Sequence, residues 1–331
     1  MTQAEHSSLL LDVKGLKTAF HTEEGAWLAV DGVDLQVRRG EIVGLVGESG
    51  SGKSVTGFSL IGLIDPPGEV VEGTVMFKDT NLTTLDPESL RRLRGNRIAM
   101  IFQDPLMTLN PVLTVGEQMA EAITTHYPDE PRARVTERCV EALARVGIPA
   151  PESRLKNYAH ELSGGMRQRV AIAIAMLNDP ELIIADEPTT ALDVTIQAQI
   201  LFEMQKLCRE RNTALIWITH DLGVVAELAD KVAVMYAGRI VEYGTVAEVL
   251  AEPRHPYTRG LLESMPGMAQ PGERLTQIEG MAPPLTARES GCPFRPRCPR
   301  RQDVCGQQAP DVSQDGDRKF RCHFPLEEAI V

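Results

Sequence analysis

The sequence predicts an α/β nucleotide-binding fold built around a phosphate loop, and three observations carry the prediction. The apolar run Ile42-Val43-Gly44-Leu45-Val46 leads into Gly47-Glu48-Ser49-Gly50-Ser51-Gly52-Lys53-Ser54, which fits G-x-x-x-x-G-K-[ST] at every defined position. Further short apolar runs at residues 98–102, 182–185 and 214–218 stop at polar side chains suited to phosphate or metal. Helical periodicity fills much of the chain between them.

In the phosphate loop, three glycines let the backbone curl so that successive N–H groups point inward at phosphate oxygens. The segment that follows, residues 55–64, has helical character and would add the positive end of its dipole. Lys53 would reach the β- and γ-phosphates, and the Ser54 hydroxyl would ligate Mg²⁺. The competing reading, a flexible Gly/Ser turn containing a lysine, explains neither the strand before it nor the Lys-Ser pair.

A chain of 331 residues exceeds a comfortable single core, so a nucleotide-binding domain with an appendage is expected. The net charge of −12 argues against a general nucleic-acid binder, which needs clustered Lys and Arg. No window approaches the roughly 18 apolar residues of a membrane span, and Met1-Thr2-Gln3-Ala4-Glu5-His6 lacks the regions of a signal peptide. A cytoplasmic chain that does not itself cross a membrane is therefore expected. Structural disulfides are not expected there.

Residues 8–46 read as short strands, with turns at Gly25 and Gly32. Phe20 or Trp27 offers an aromatic face for adenine, though either residue taken singly reads as ordinary packing. Residues 73–78 read as another strand and residues 90–94 as a basic, solvated helical piece. The strand at 98–102 ends in Gln103, whose amide oxygen suits Mg²⁺ or the attacking water. From Val115 to Val146 the pattern is helical, with Met119, Ala122, Ile123, Val140, Leu143, Ala144 and Val146 on the apolar face and Cys139 as a small buried residue.

In Leu162-Ser163-Gly164-Gly165-Met166-Arg167-Gln168-Arg169, Ser163 stands as an N-cap and two glycines leave helix-terminal N–H groups uncovered, a second anion cradle. A second cradle suggests that each chain completes its neighbour's site. The strand ending in Asp186-Glu187 places one carboxylate for the outer shell of Mg²⁺ and the next as the base for in-line attack on the γ-phosphate. After the loop Thr190-Ala191-Leu192-Asp193 and the helix at 195–211, the strand at 214–218 leads to Thr219-His220-Asp221. His220 falls at the sheet edge where ligands of open α/β sheets bind, which suits a γ-phosphate contact. Residues 231–236 and 239–243 form a hairpin around Ala237-Gly238. Beyond residue 253 prolines break the chain into an irregular tail, except for a short helix near Tyr257–Met265.

In this order, the phosphate loop 47–54, Gln103, Leu162-Ser163-Gly164-Gly165, Asp186-Glu187, Ala191-Leu192-Asp193 and His220 resemble the ATP-binding subunits of ABC transporters across nearly the whole chain. Met166 departs from the glutamine many members carry. His255-Pro256-Tyr257-Thr258 and the run Gly291-Cys292-x-Phe294-x-Pro296-Arg297-Cys298 look like the oligopeptide and dipeptide importer branch. The resemblance implies an ABC-type nucleotide-binding domain over 1–252, with an antiparallel β subdomain and a helical insert at about 104–177, and a Cys-rich region over 253–331. It implies Lys53 and the loop amides on the phosphates, Ser54 and Gln103 on Mg²⁺, and Asp186 holding the metal through water. It also implies Glu187 as base, His220 on the γ-phosphate, Asp193 near the nucleotide, and Ser163, Gly164 and Gly165 acting on the partner's ATP.

The partners it implies are a second ABC ATPase subunit, in this branch usually a non-identical homologue, two transmembrane permease subunits and, indirectly, an extracytoplasmic peptide-binding protein. The chain would then lie peripherally on the cytoplasmic face of the membrane. Segment 104–117 is the implied docking surface, where Leu106, Met107 and Leu109 are apolar residues difficult to bury within the chain. Nickel, opine or glutathione importers use similar ATPases and remain alternatives. A soluble ABC ATPase acting on DNA or ribosomes would call for coiled coils or tandem cassettes, which the sequence lacks.

Four of the six cysteines, Cys292, Cys298, Cys305 and Cys322, crowd into the last 40 residues. Four thiolates are the complement of a [4Fe–4S] cluster, and spacings of five, six and sixteen intervening residues lack the close pairs of zinc knuckles, which leaves zinc the weaker alternative. Some ATPase subunits of the peptide-importer branch carry such a cluster, so the expectation is ATP, Mg²⁺ and [4Fe–4S] as cofactors; His323, beside Cys322, is a substitute ligand that the four cysteines make unnecessary.

Overall fold

The computed structural model describes residues 8–104, 108–189, 192, 194–265, 277–284, 286 and 290–327. The chain forms two compact units, one holding Leu9–Val37, Ile42–Thr84 and the chain from Trp217 onward, the other Arg38–Glu41 and Leu85–Ile216. The strand Ala214–Thr219, buried along its whole length, carries the chain from one unit to the other.

The first unit contains the phosphate loop and two sheets. An antiparallel sheet orders its strands Gly25–Arg38, Leu9–Thr22, Gly68–Phe77, Thr80–Asn81. The short strands expected before the loop are in fact two strands of 14 residues, and Gly32 lies inside the second one instead of ending it. Alternation runs through both: Leu11 and Val13, then past a register shift Leu16 and Thr18, on one, and Val33, Leu35 and Val37 on the other, are buried at 2% exposure or less.

In the other sheet of this unit, Ile42–Val46 lies parallel to Lys231–Tyr236, from Val43 opposite Lys231 to Val46 opposite Val234. All five residues of Ile42–Val46 are buried, as the unbroken apolar run demands of a parallel strand. The expected hairpin is present, with Arg239–Thr245 antiparallel to Lys231–Tyr236. Its outer edge is then covered by Arg318–Phe320 and Ser313–Asp315, a strand pair that the irregular tail of the sequence did not announce.

The expected tail helix runs Pro256–Glu263, with His255 as its N-cap accepting the Tyr257 N–H on Nδ1 at 3.0 Å. Tyr257 and Phe294 pack against Tyr236, with ring centroids 4.6 Å and 5.3 Å from it, in a core that also holds Val46 and Val234. Each such ring buries roughly 150–250 Å², about 4–6 kcal/mol as an upper estimate at ~25 cal/mol per Å². This packing ties residues beyond 253 to the strand from which the phosphate loop springs.

In the second unit, Ile98–Ile101 lies parallel to Leu182–Asp186, with Ile101 opposite Ala185. The helical stretch expected over 115–146 is two helices, Val115–Thr124 and Arg132–Arg145, parted at Pro128 and Pro131 where the chain cannot continue a helix. Thr114 and Glu117 close a capping box on the first. On the second, Val135, Cys139, Ala142 and Leu143 face inward, while Ala144 is exposed. Gly164–Met176 and Val194–Arg211 are the remaining long helices described in this unit. Among the described residues, no helix is long and apolar enough to cross a membrane.

Candidate nucleotide site

The buried strand Ile42–Val46 delivers the phosphate loop to the start of the helix Lys53–Leu60. Gly52 sits at φ +102°, and a Cβ there would come within 2.5 Å of the Ala29 carbonyl oxygen and 2.9 Å of Met235 Cε. A Cβ on Gly47 would run into the Met235 carbonyl. At Gly47 and Gly52 the loop therefore lies too close to its neighbours to admit a side chain.

Lys53 is 5% exposed, and its Nζ donates to the carbonyls of Gly47 at 2.8 Å and Glu48 at 3.0 Å. Backbone acceptors thus compensate a buried ammonium. The Thr56 hydroxyl donates to the Gly52 carbonyl at 2.9 Å, pinning the loop to the first helical turn, where Ser54 is half-buried. The Ser51 hydroxyl is buried without a hydrogen-bond partner among the described residues. A glycine-walled cradle with a lysine, an unsatisfied hydroxyl and a helix N-terminus fits the oxygens of a bound phosphate chain.

Also in this unit, Phe20 is half-buried, and its ring lies against Gly68 across the strand pair. His220 is exposed immediately after the strand Ala214–Thr219, and Asp221 caps the next helix by accepting from the N–H of Gly223 at 2.8 Å.

The second unit carries the remaining expected residues. Gln103, exposed, lies two residues past the strand Ile98–Ile101, and Asp186, 2% exposed, ends the parallel strand Leu182–Asp186 beside it, so both stand at the same edge. Glu187 is half-buried at φ +43°, a left-handed conformation that costs a non-glycine residue of order 1 kcal/mol or more. Ser163 caps Gly164–Met176, its Oγ accepting the Met166 N–H at 3.3 Å. Gly164 is exposed, and Gly165 is buried where a Cβ would meet Ile196 at 3.0 Å. Asp193, Leu106 and Met107 lie outside the described residues. Leu109, expected on an exposed docking surface, is instead 4% exposed and part of the core; a short segment can bury one apolar side chain while its polar neighbours stay out.

The iron–sulfur expectation is overturned. Cys292, Cys298, Cys305 and Cys322 are free thiols around a cavity of about 20 Å³ that Phe294 and Phe324 help to line. Among the described residues, no group of three or more His, Cys, Asp or Glu side chains is placed to hold a metal ion. Burial raises the thiols of Cys292 and Cys298 and pushes Cys322 up to about 11. The spare ligand His323 directs Nε2 to the Gln308 carbonyl at 2.9 Å. Cys139 is the small buried residue expected, its thiol pushed up to about 11 by desolvation.

Two residues at the loop were not anticipated: Tyr257 and Arg297 both contact Glu48, across 209 and 249 positions of sequence. No local pattern signals such a contact.

A family model described as ABC transporter matches residues 30–190, and one described as oligopeptide/dipeptide transporter, C-terminal region, matches residues 241–305. The chain is 50% identical to the dipeptide transport ATP-binding protein DppD of Haemophilus influenzae, over 96% of each chain. The chain belongs to the ABC transporter family. Within that family it is also 47% identical to the oligopeptide transport ATP-binding protein AppD of Bacillus subtilis, covering 97% of this chain and 98% of the relative. Among solved ABC structures, the cassette MJ0796, a dimer in a post-hydrolysis state bound to ADP and Pi, superposes with a TM-score of 0.65 at 28% identity over 72% of this chain and 99% of that one. Another is cbiO1 of Clostridium perfringens, part of the ABC transporter complex cbiONQ, with a TM-score of 0.62 at 27% identity over 73% of this chain and 91% of that one. The ABC cassette fold and the ATPase class expected from the sequence are borne out.

Proposed function

We propose that this ABC ATPase energises the import of di- and oligopeptides from the cytoplasmic face of a membrane. The observation that carries the proposal is the chain-long identity to peptide-transport ATPases, which extends through the region beyond the cassette. Its partners are a second ABC ATPase subunit, a non-identical homologue, and two permease subunits fed by an extracytoplasmic peptide-binding protein.

When bound, ATP supplies the phosphoanhydride to be cleaved and Mg²⁺ neutralises charge on its outer phosphates. Lys53 and the loop amides other than that of Glu48 would hold the phosphates, while Ser54, Gln103 and Asp186 are the residues that would hold the metal. Glu187 accepts a proton from the attacking water, and His220 steadies the γ-phosphate. Phe20 offers its ring to adenine. Ser163, Gly164, Gly165 and Asp193 serve the site shared with the partner ATPase. The left-handed backbone at Glu187 and the crowding that keeps Gly47 and Gly52 as glycines support the roles of Glu187 and the phosphate loop, because such geometry persists where function requires it.

Reconstitution in proteoliposomes with the co-expressed permease and ATPase subunits tests the reading. Uptake of a labelled dipeptide that requires both the binding protein and hydrolysable ATP is expected. Assembly that hydrolyses ATP yet moves no peptide would refute the peptide assignment.

A further inference from the structure

We infer that Arg297, from the region beyond the cassette, is a positioning residue of the phosphate loop: it holds Glu48, and through Glu48 the acceptor of Lys53, so that it sets nucleotide affinity. The inference rests on the phosphate loop being the nucleotide site.

The Arg297 side chain is 5% exposed, and its two terminal nitrogens donate to the two carboxylate oxygens of Glu48 at 2.7 Å and 2.9 Å. Such a fork fixes both the distance and the plane of the carboxylate. The guanidinium is itself held in place, since Nε donates to the Glu279 carbonyl at 3.0 Å and Nη2 to the Ile278 carbonyl at 3.3 Å. It also lies 5.8 Å from the Tyr236 ring centroid and 6.0 Å from that of Phe294.

Glu48 is the second residue of the loop, and it is anchored at both ends. Its main-chain N–H donates to the Tyr257 hydroxyl at 2.9 Å, so that amide is turned toward the region beyond the cassette. Its carbonyl accepts from Lys53 Nζ at 3.0 Å. A continuous path thus runs from the Arg297 fork, through one residue, to the ammonium of the phosphate-binding lysine. Arg297 also neutralises a carboxylate that would otherwise stand uncompensated in a site built for polyanions.

A purely structural clamp would change stability and leave affinity alone, so the two roles separate by experiment. In the full-length chain, Mg-ATP affinity and thermal unfolding are measured for Arg297→Ala, Arg297→Lys, Glu48→Gln and the Glu48→Gln/Arg297→Lys pair. Loss of a charge-assisted pair is expected to weaken ATP binding about tenfold in Arg297→Ala, with Arg297→Lys retaining most of the affinity. The effects of Glu48→Gln and Arg297→Lys are expected to be non-additive. Wild-type affinity in folded Arg297→Ala overturns the inference. If that variant does not fold, multiplicative effects in the milder pair overturn it instead. Lys53→Ala serves as the separate control: normal ATP binding there would remove the phosphate-loop reading itself.

Discussion

Arg318 and Glu242 form an ion pair at 2.7 Å with side chains 6% and 0% exposed, and Glu242 also accepts the main-chain N–H of Arg254 at 2.7 Å and of His255 at 2.9 Å. One buried carboxylate therefore joins the strand Arg318–Phe320, the hairpin it pairs with and the start of the helix Pro256–Glu263. Removing one partner leaves a buried charge uncompensated, which typically costs about 3–5 kcal/mol. Arg318→Ala is expected to lose that much in urea unfolding, while Glu242→Gln/Arg318→Met should lose less. Equal losses in the single and double variants would contradict the account.

His255 links stability to pH. Its ring is 1% exposed, and desolvation pushes its pKa down to about 3 from an ordinary value near 6.5. The unfolded chain therefore binds a proton that the folded chain refuses, so the stabilisation is complete above about pH 6.5 and is lost as pH falls toward the folded value. Protonation would also destroy the Nδ1 acceptor that caps the Tyr257 N–H. A loss of at most about 1.4 kcal/mol per pH unit is expected in that window. His255→Asn, titrated by chemical unfolding, should show a shallower slope; an unchanged slope would assign the dependence elsewhere.

For Glu187→Gln, ATP binding should persist while hydrolysis falls by roughly 10²–10⁴, because a positioned base is lost and the fold is not. Single-turnover hydrolysis together with equilibrium binding separates the two. Wild-type turnover would rule out Glu187 as the base.

Gly52→Ala should abolish nucleotide binding more completely than it destabilises the protein. A methyl group would crowd the Ala29 carbonyl and Met235 at a left-handed φ, forcing the loop away from its neighbours. Measured ATP affinity close to wild type would mean that the loop tolerates displacement and that its close approach to its neighbours is not required.

Much of the nucleotide machinery was legible in the sequence because it is local. The phosphate loop is eight consecutive residues whose glycines and Lys-Ser pair define a backbone path, and Ser163 caps a helix that begins at the next residue. Residues 182–185 and 214–218 announced themselves as unbroken apolar runs, since these strands are buried along their whole length. Tertiary structure alone decided what depends on partners distant in sequence. The Arg297–Glu48 fork spans 249 positions and the Arg318–Glu242 pair 76, and no periodicity encodes either. The same holds for Leu109, buried where its segment looked exposed, and for the cysteines, whose spacing suggested thiolates around a metal. Spacing can count ligands, but how their side chains are placed is decided only when Cys292, Cys298, Cys305 and Cys322 come together around one cavity in the folded chain.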